Sequence, residues 1–105
     1  MKLTIVKTKA FNEGLIIVID YYTMNAKKHV DNIINLLATG KKLPAKYHDH
    51  SINSGKYRNK GFRDCHIVEI DKKHDCVLIY CISKFKLSLI DIGSHKRLFP
   101  SSTKN

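Results

Sequence analysis

Residues Asn25 to Thr39 place the tightest constraint on what this chain can fold into. Ala26, Val30, Ile33, Ile34 and Leu37 recur at spacings of three and four, and at 3.6 residues per turn they form one apolar stripe along a helix. Asn25 is placed to cap that helix and Gly40 to stop it. Just upstream, Leu15-Ile16-Ile17-Val18-Ile19 is β-branched enough to suit a buried strand. Helical spacing nevertheless puts Phe11, Leu15, Val18, Ile19 and Tyr22 on a single face, so the spacing predicts a helix over Thr8 to Tyr22. Ile16 and Ile17 fall off that face and are expected to meet another chain or a neighbouring element. Two helices joined by about three residues must turn back on each other as an αα-hairpin.

The remaining segments are β-like or irregular. Lys2 to Lys7 alternates Leu3 and Ile5 with Thr4 and Val6 and predicts a short strand. Lys41 to Gly61, punctuated by Pro44, Gly55 and Gly61, reads as an extended basic loop with at most a short strand. Phe62 to Ile70 and Asp75 to Ser83 flank the polar tetrapeptide Asp71-Lys72-Lys73-His74 and predict an antiparallel hairpin. Lys84 to Ile92 alternates Phe85, Leu87 and Leu89 against Lys86 and Ser88 and predicts a third strand, ended by Gly93; residues 100–105 read as a frayed tail. The order β-α-α-β-β-β predicts an α+β fold for a single domain spanning residues 1–105. The helical hairpin packs on one face of a small, mostly antiparallel sheet, and the other face is left free to bind.

At 105 residues the chain can bury one core without staples. No apolar run approaches the roughly 18–20 residues of a membrane span, and the first residues lack a secretory signal, so a cytoplasmic protein without membrane contact is expected. Cys65, Cys76 and Cys81 are odd in number and lie in β-like runs, which favours buried reduced thiols over a disulfide or thiolate metal site. The net charge is +10, and Lys41 to Arg63 holds seven basic residues against one acid, Asp49. Such a patch attracts polyanions, nucleic acid first among them, although a merely solvated lysine-rich face has the same composition.

Four of the six histidines, His48, His50, His66 and His95, lie in polar basic segments. RNA carries its own nucleophile in the 2′-hydroxyl, so a protein that cleaves it needs only a base, an acid and positive charge for the phosphate. Imidazole serves as base or acid near neutral pH, and lysine and arginine supply the charge. Phe99 or Tyr47 is available to stack on a base. The rival chemistry is a zinc site built from His48, His50, His66 and His95. The sequence offers it no carboxylate or cysteine at recognisable ligand spacing, and the cationic surroundings oppose a dication. His29 and His74 read as solvated residues. Phosphate loops, dinucleotide fingerprints and nucleophile elbows are absent, which leaves ATP, dinucleotide and serine-hydrolase readings without support.

Leu43-Pro44-Ala45-Lys46-Tyr47-His48-Asp49-His50, Gly61-Phe62-Arg63-Asp64-Cys65-His66, Asp75-Cys76-Val77-Leu78-Ile79-Tyr80 and Gly93-Ser94-His95-Lys96-Arg97-Leu98-Phe99 occur in that order. Together they resemble the YafQ branch of the RelE/ParE toxin superfamily, whose members read L-P-x-x-Y-x-D-H, G-x-R-[DE]-x-H, P-D-W-x-L-I-Y and T-G-[ST]-H-x-x-L-F. The resemblance implies a ribosome-dependent, metal-independent endoribonuclease without a cofactor. It would be the toxin of a type II toxin-antitoxin pair, cutting mRNA in the 30S A site and restrained by an acidic antitoxin of the RelB/DinJ kind. Carried over by motif, His95 would be general base or acid, His50 and His66 would move protons or hold the phosphate, and Asp75 would orient a histidine or the substrate. Phe99 would position a base, and Lys46, Lys56, Arg58, Lys60, Arg63, Lys96 and Arg97 would hold RNA.

Three positions depart from the family pattern. The segment from His66 to Asp75 is longer than H-x-x-P-D, Cys76 replaces a tryptophan, and Asp91 stands where arginine often precedes T-G. Asp91 would remove a positive charge near His95, which keeps open a rival protein that binds antitoxin and nucleic acid without cleaving. A gyrase-inhibiting toxin of the same superfamily is disfavoured, because the histidine set has no purpose there.

Overall fold

The computed structural model describes residues 2–73 and 75–100. Strand β1 (Thr4–Lys7) leads into α1 (Lys9–Tyr22), and Thr23 and Met24 join it to α2 (Asn25–Ala38). A single 3-10 turn (Ala45–Tyr47) and the two-residue β2 (His50–Ser51) interrupt the basic loop. They are followed by β3 (Arg63–His66), β4 (Cys76–Ser83), β5 (Lys86–Ser94) and the short α3 (His95–Leu98). The strands form one sheet in the order β1-β5-β4-β3-β2. β1 runs parallel to β5, and every other neighbour is antiparallel. The α+β expectation holds, with β2, the 3-10 turn and α3 added to the predicted order. His74 and the predicted tail beyond Pro100 lie outside the described residues. Among the described residues no helix is long and apolar enough to cross a membrane.

Helix α1 is fixed to the sheet by its first residues. The Thr8 hydroxyl accepts a hydrogen bond from the Phe11 N–H (3.0 Å) and donates to the Ile90 carbonyl on β5 (2.7 Å), so one side chain both caps the helix and ties it to a strand. One turn later Gly14 crosses β5 so closely that a Cβ there would collide with the Ile92 carbonyl oxygen. Gly14→Ala is therefore expected to cost about 1–3 kcal/mol through overpacking, read as a lower midpoint in urea unfolding; an unchanged midpoint would show that helix and strand separate freely. Phe11 and Val18 are buried, and Leu15 and Tyr22 pack half-buried against the core, as predicted. Ile16 and Ile17 face solvent.

In α2 the predicted stripe is the buried one. Asn25 does not cap it; Asn25 is already helical, Met24 precedes it, and no side chain caps the helix start. Gly40 follows the last turn at φ +78°, a conformation open to glycine that lets the helix stop there.

The apolar run of β4 does not alternate because both its faces are covered. Cys76, Leu78 and Tyr80 pack beneath the helices, while Val77 and Ile79 join Ile52, Tyr57, Leu98 and Phe99 in a second, smaller core. This corrects the expectation of a bare second face: the basic loop and the end of the chain fold over it. β3 also ends sooner than predicted. After His66 the chain turns inward, Ile67 is fully buried, and its N–H reaches the Cys76 carbonyl (2.9 Å). Residues 67–73 thus pack as a connection in place of a tight hairpin turn, held to α1 by the Tyr22 hydroxyl donating to Asp71 Oδ2 (2.8 Å). Gly93 pairs with Val77 inside β5 instead of ending it. Cys65 and Cys76 are buried free thiols, and burial pushes the Cys76 thiol up to about 12.

Candidate functional site

Register brings the histidines together. His50 on β2 lies opposite Asp64 on β3, and His66, two residues along, shares the face of Asp64. His95 enters from β5 at the start of α3, where Ser94 Oγ accepts from the Arg97 N–H (3.2 Å). These elements enclose a pocket of about 160 Å³ lined by His50, Asp64, His66, His95 and Phe99, with residues 51–54 as its rim. Ring centroids lie 6.4 Å apart for His50 and His66, 5.8 Å for His48 and His66, and 5.0 Å for His95 and Phe99. The pocket therefore offers three imidazoles to one nucleotide-sized group.

Asp64 is the buried acid of the pocket, 5% exposed. Its Oδ1 lies 2.9 Å from His50 Nε2, yet no donor among the described residues is aligned to give that oxygen a hydrogen bond. Burial raises its pKa, while His50, His66 and His95 pull the other way. His50 Nδ1 lies 3.0 Å from the Ser51 carbonyl, which can only accept, so the Nδ1 proton points there. Nε2 then faces Asp64 Oδ1 at 2.9 Å. A carboxylate this close to an imidazole is placed to support proton transfer by that ring.

The loop carrying His50 is pinned by Asp49, whose Oδ1 accepts from the Tyr80 hydroxyl (2.7 Å) and Arg63 Nε (3.1 Å). Arg63 Nη1 also donates to Ser51 Oγ (3.1 Å). Arg63, predicted to hold RNA, is thus committed to shaping the pocket. Lys46 is likewise paired with Glu69 (3.0 Å). Arg97, exposed along part of its length, donates to the Ile92 carbonyl and to Asp91 Oδ1 (2.8 Å), so its guanidinium is engaged within the chain. Of the other predicted RNA contacts, Lys56 lies over the Tyr57 ring, Arg58 bonds the Gly55 carbonyl, and Lys60 and Lys96 are exposed.

Asp75 does not line the histidine pocket. Its Oδ1 and its carbonyl both accept from the His95 N–H (3.0 and 3.1 Å), so it orients His95 through the main chain. Phe99 is 5% exposed and forms a wall of the pocket instead of an open stacking platform. Asp91, 4% exposed, accepts from the Tyr57 hydroxyl (2.7 Å) as well as from Arg97. Its charge is answered locally and does not face the imidazoles.

Ligand atoms of His50, Asp64 and His66 lie within 4.8 Å of one another, so two imidazoles and a carboxylate oxygen could hold a divalent ion. A metal was disfavoured for want of a carboxylate or cysteine at ligand spacing and by the cationic surroundings; Asp64 supplies the carboxylate. The alternation Asp64-x-His66 was the available signal, since residues two apart on a strand share a face.

The family described as "Bacterial toxin of type II toxin-antitoxin system, YafQ" matches residues 3–100. The chain belongs to the YafQ toxin family. Its solved relatives share the fold across nearly their whole length. A metal-bound toxin from Helicobacter pylori is 34% identical, with 92% of this chain and 99% of that one covered and a TM-score of 0.76. A copper-bound mutant toxin from Helicobacter pylori is 29% identical over 92% and 99%, at 0.71. The E. coli DinJ-YafQ complex is 25% identical over 93% and 99%, at 0.75. Comparison with curated protein sequences returns no match. As a YafQ toxin the protein is the toxin half of a type II toxin-antitoxin system.

Proposed function

We propose that this toxin is an endoribonuclease that cuts mRNA in the ribosomal A site. The reading is carried by His50, His66 and His95 lining one pocket together with a buried carboxylate. A base takes the proton of the 2′-hydroxyl, the 2′-oxygen attacks the adjacent phosphorus, and the phosphorus–O5′ bond breaks. An acid returns a proton to O5′, leaving a 2′,3′-cyclic phosphate that can open to a 3′-phosphate. His95 takes one proton-transfer role and His50, backed by Asp64, the other, while His66 and the cations Lys56, Arg58, Lys60 and Lys96 hold phosphates. An acidic antitoxin of the DinJ kind is the expected partner, in line with the E. coli complex.

The same pocket would hold a metal of the kind bound by the Helicobacter pylori toxins through His50, Asp64 and His66. Such an ion supplies positive charge, but it occupies the imidazole lone pairs that proton transfer needs. Cleavage should therefore persist in chelator. The rival of a binding protein that does not cleave rested on Asp91, and Asp91 is turned away from the pocket into its pair with Arg97.

The decisive experiment maps the 5′ ends of cut messages after brief induction of wild type and His50→Ala. Cuts in register with the reading frame, missing from the variant, are the expected result. Frame-independent cuts would mean a nuclease that works without the ribosome, and no cuts at all would overturn the enzymatic reading.

A further inference from the structure

A groove of about 830 Å³ shares no lining residue with the histidine pocket. Ile17, Tyr21 and Tyr22 of α1 form one wall, and Ile70, Lys72 and Lys73 of the 67–73 connection form the other. Ile17 is 54% exposed, Tyr21 78% and Met24 68%. Spaced four and three residues apart, they continue one apolar strip along α1 and into the turn, and Ile16 lies beside it. Large apolar side chains gathered in this way mark a surface that another molecule covers.

The charge around the groove says which kind of molecule. Asp71 turns inward to the Tyr22 hydroxyl and the Lys73 N–H, and Asp75 accepts from the His95 N–H. Lys72 and Lys73 are exposed, and none of the ion pairs among the described residues uses them. An apolar floor beside two unanswered ammonium groups, on a chain of net charge +10, complements an amphipathic segment that is apolar on one face and acidic along one edge.

We propose that this groove receives an amphipathic segment of the acidic antitoxin, with apolar side chains on Ile17 and Tyr21 and carboxylates against Lys72 and Lys73. The inference rests on the reading of the chain as one half of a toxin-antitoxin pair. It goes further in assigning the recognition surface and in giving the connection a purpose. The segment between His66 and Asp75 is longer than the family spacing, and its residues 70–73 build one wall, so the wall that selects the antitoxin is a feature of this chain. The groove also includes Asp75, Gly93 and Ser94, the residues just behind His95, so its occupant sits against the backbone that positions the pocket.

The test measures affinity of the full-length toxin for its cognate acidic antitoxin. Ile17→Asp is expected to weaken binding by about 30-fold or more, the loss typical of a central interface anchor. The pair Lys72→Glu and Lys73→Glu is expected to weaken it about tenfold and to flatten its salt dependence. All these side chains are exposed, so mRNA cleavage by the toxin alone should be unchanged, which also guards against misfolding as the cause. Binding unaffected by both sets of changes would overturn the proposal even if the protein cleaves RNA. Reduced binding would support it even if the protein does not. Sedimentation of the toxin alone supplies the other arm: a dimer abolished by Ile17→Asp would assign the groove to a second copy and overturn the antitoxin assignment.

Discussion

His95→Ala should abolish growth arrest on induction and lower message cleavage by about 10²–10⁴-fold, the range for loss of a positioned acid or base. The fold should survive the change. His95 is exposed, and what anchors α3 is its main-chain N–H on Asp75 and the Ser94 cap, both of which alanine keeps. Thermal unfolding should therefore superimpose on wild type while the 5′ ends of cut messages disappear. Cleavage at the wild-type rate by the alanine variant would remove the imidazole from the chemistry and with it the proposed mechanism.

Asp64→Asn should produce the opposite pairing, a less active and more stable protein. The Asp64 carboxyl is raised above its ordinary range by burial, which outweighs the pull of His50, His66 and His95. The folded chain therefore holds this proton more tightly than the unfolded one. The stabilising contribution is complete below the unfolded-chain pKa of about 3.9 and is lost as pH rises through the folded value. Asparagine never ionises, so the variant should melt higher than wild type at neutral pH, with the gap closing in acid. Activity should fall on the order of 10²-fold, because the amide cannot exchange a proton with His50 Nε2. A melting curve that drops at neutral pH would show that the carboxylate stabilises the fold through His50, contrary to the direction assigned. Stability given up for a charged group in a pocket is a common cost of function.

How far the sequence could be read depended on whether the deciding interaction was local. The stripe of α2 and the face of α1 follow from spacing within a helix, and the unbroken apolar run of β4 announces a strand. Gly14 carries no such mark, because its role is set by the carbonyl of Ile92, far along the chain on β5. Arg63 and Arg97 looked like RNA contacts in a basic stretch, yet buried or half-buried acids at positions 49 and 91 claim them. Charge counts cannot reveal such pairing. β3 ended early because Ile67, apolar like a strand residue, turns into the core. The histidines could be singled out because four of them lie in polar segments, and strand register then sets three of them around one pocket. Asp64 was printed in the same motif and overlooked, although simple alternation sets it beside His66.

The small cluster of Ile52, Tyr57, Leu98 and Phe99 beneath the basic loop has an evolutionary implication. It gives the rim of the pocket a foundation separate from the one that holds helices to sheet. Around the anchored Tyr57, the exposed residues 53, 54, 56 and 58–60 can then drift in charge and shape, retuning which messages are gripped, while the scaffold below keeps its stability. Diversification among relatives should accordingly concentrate in that arc, where change is cheap for folding and consequential for the target.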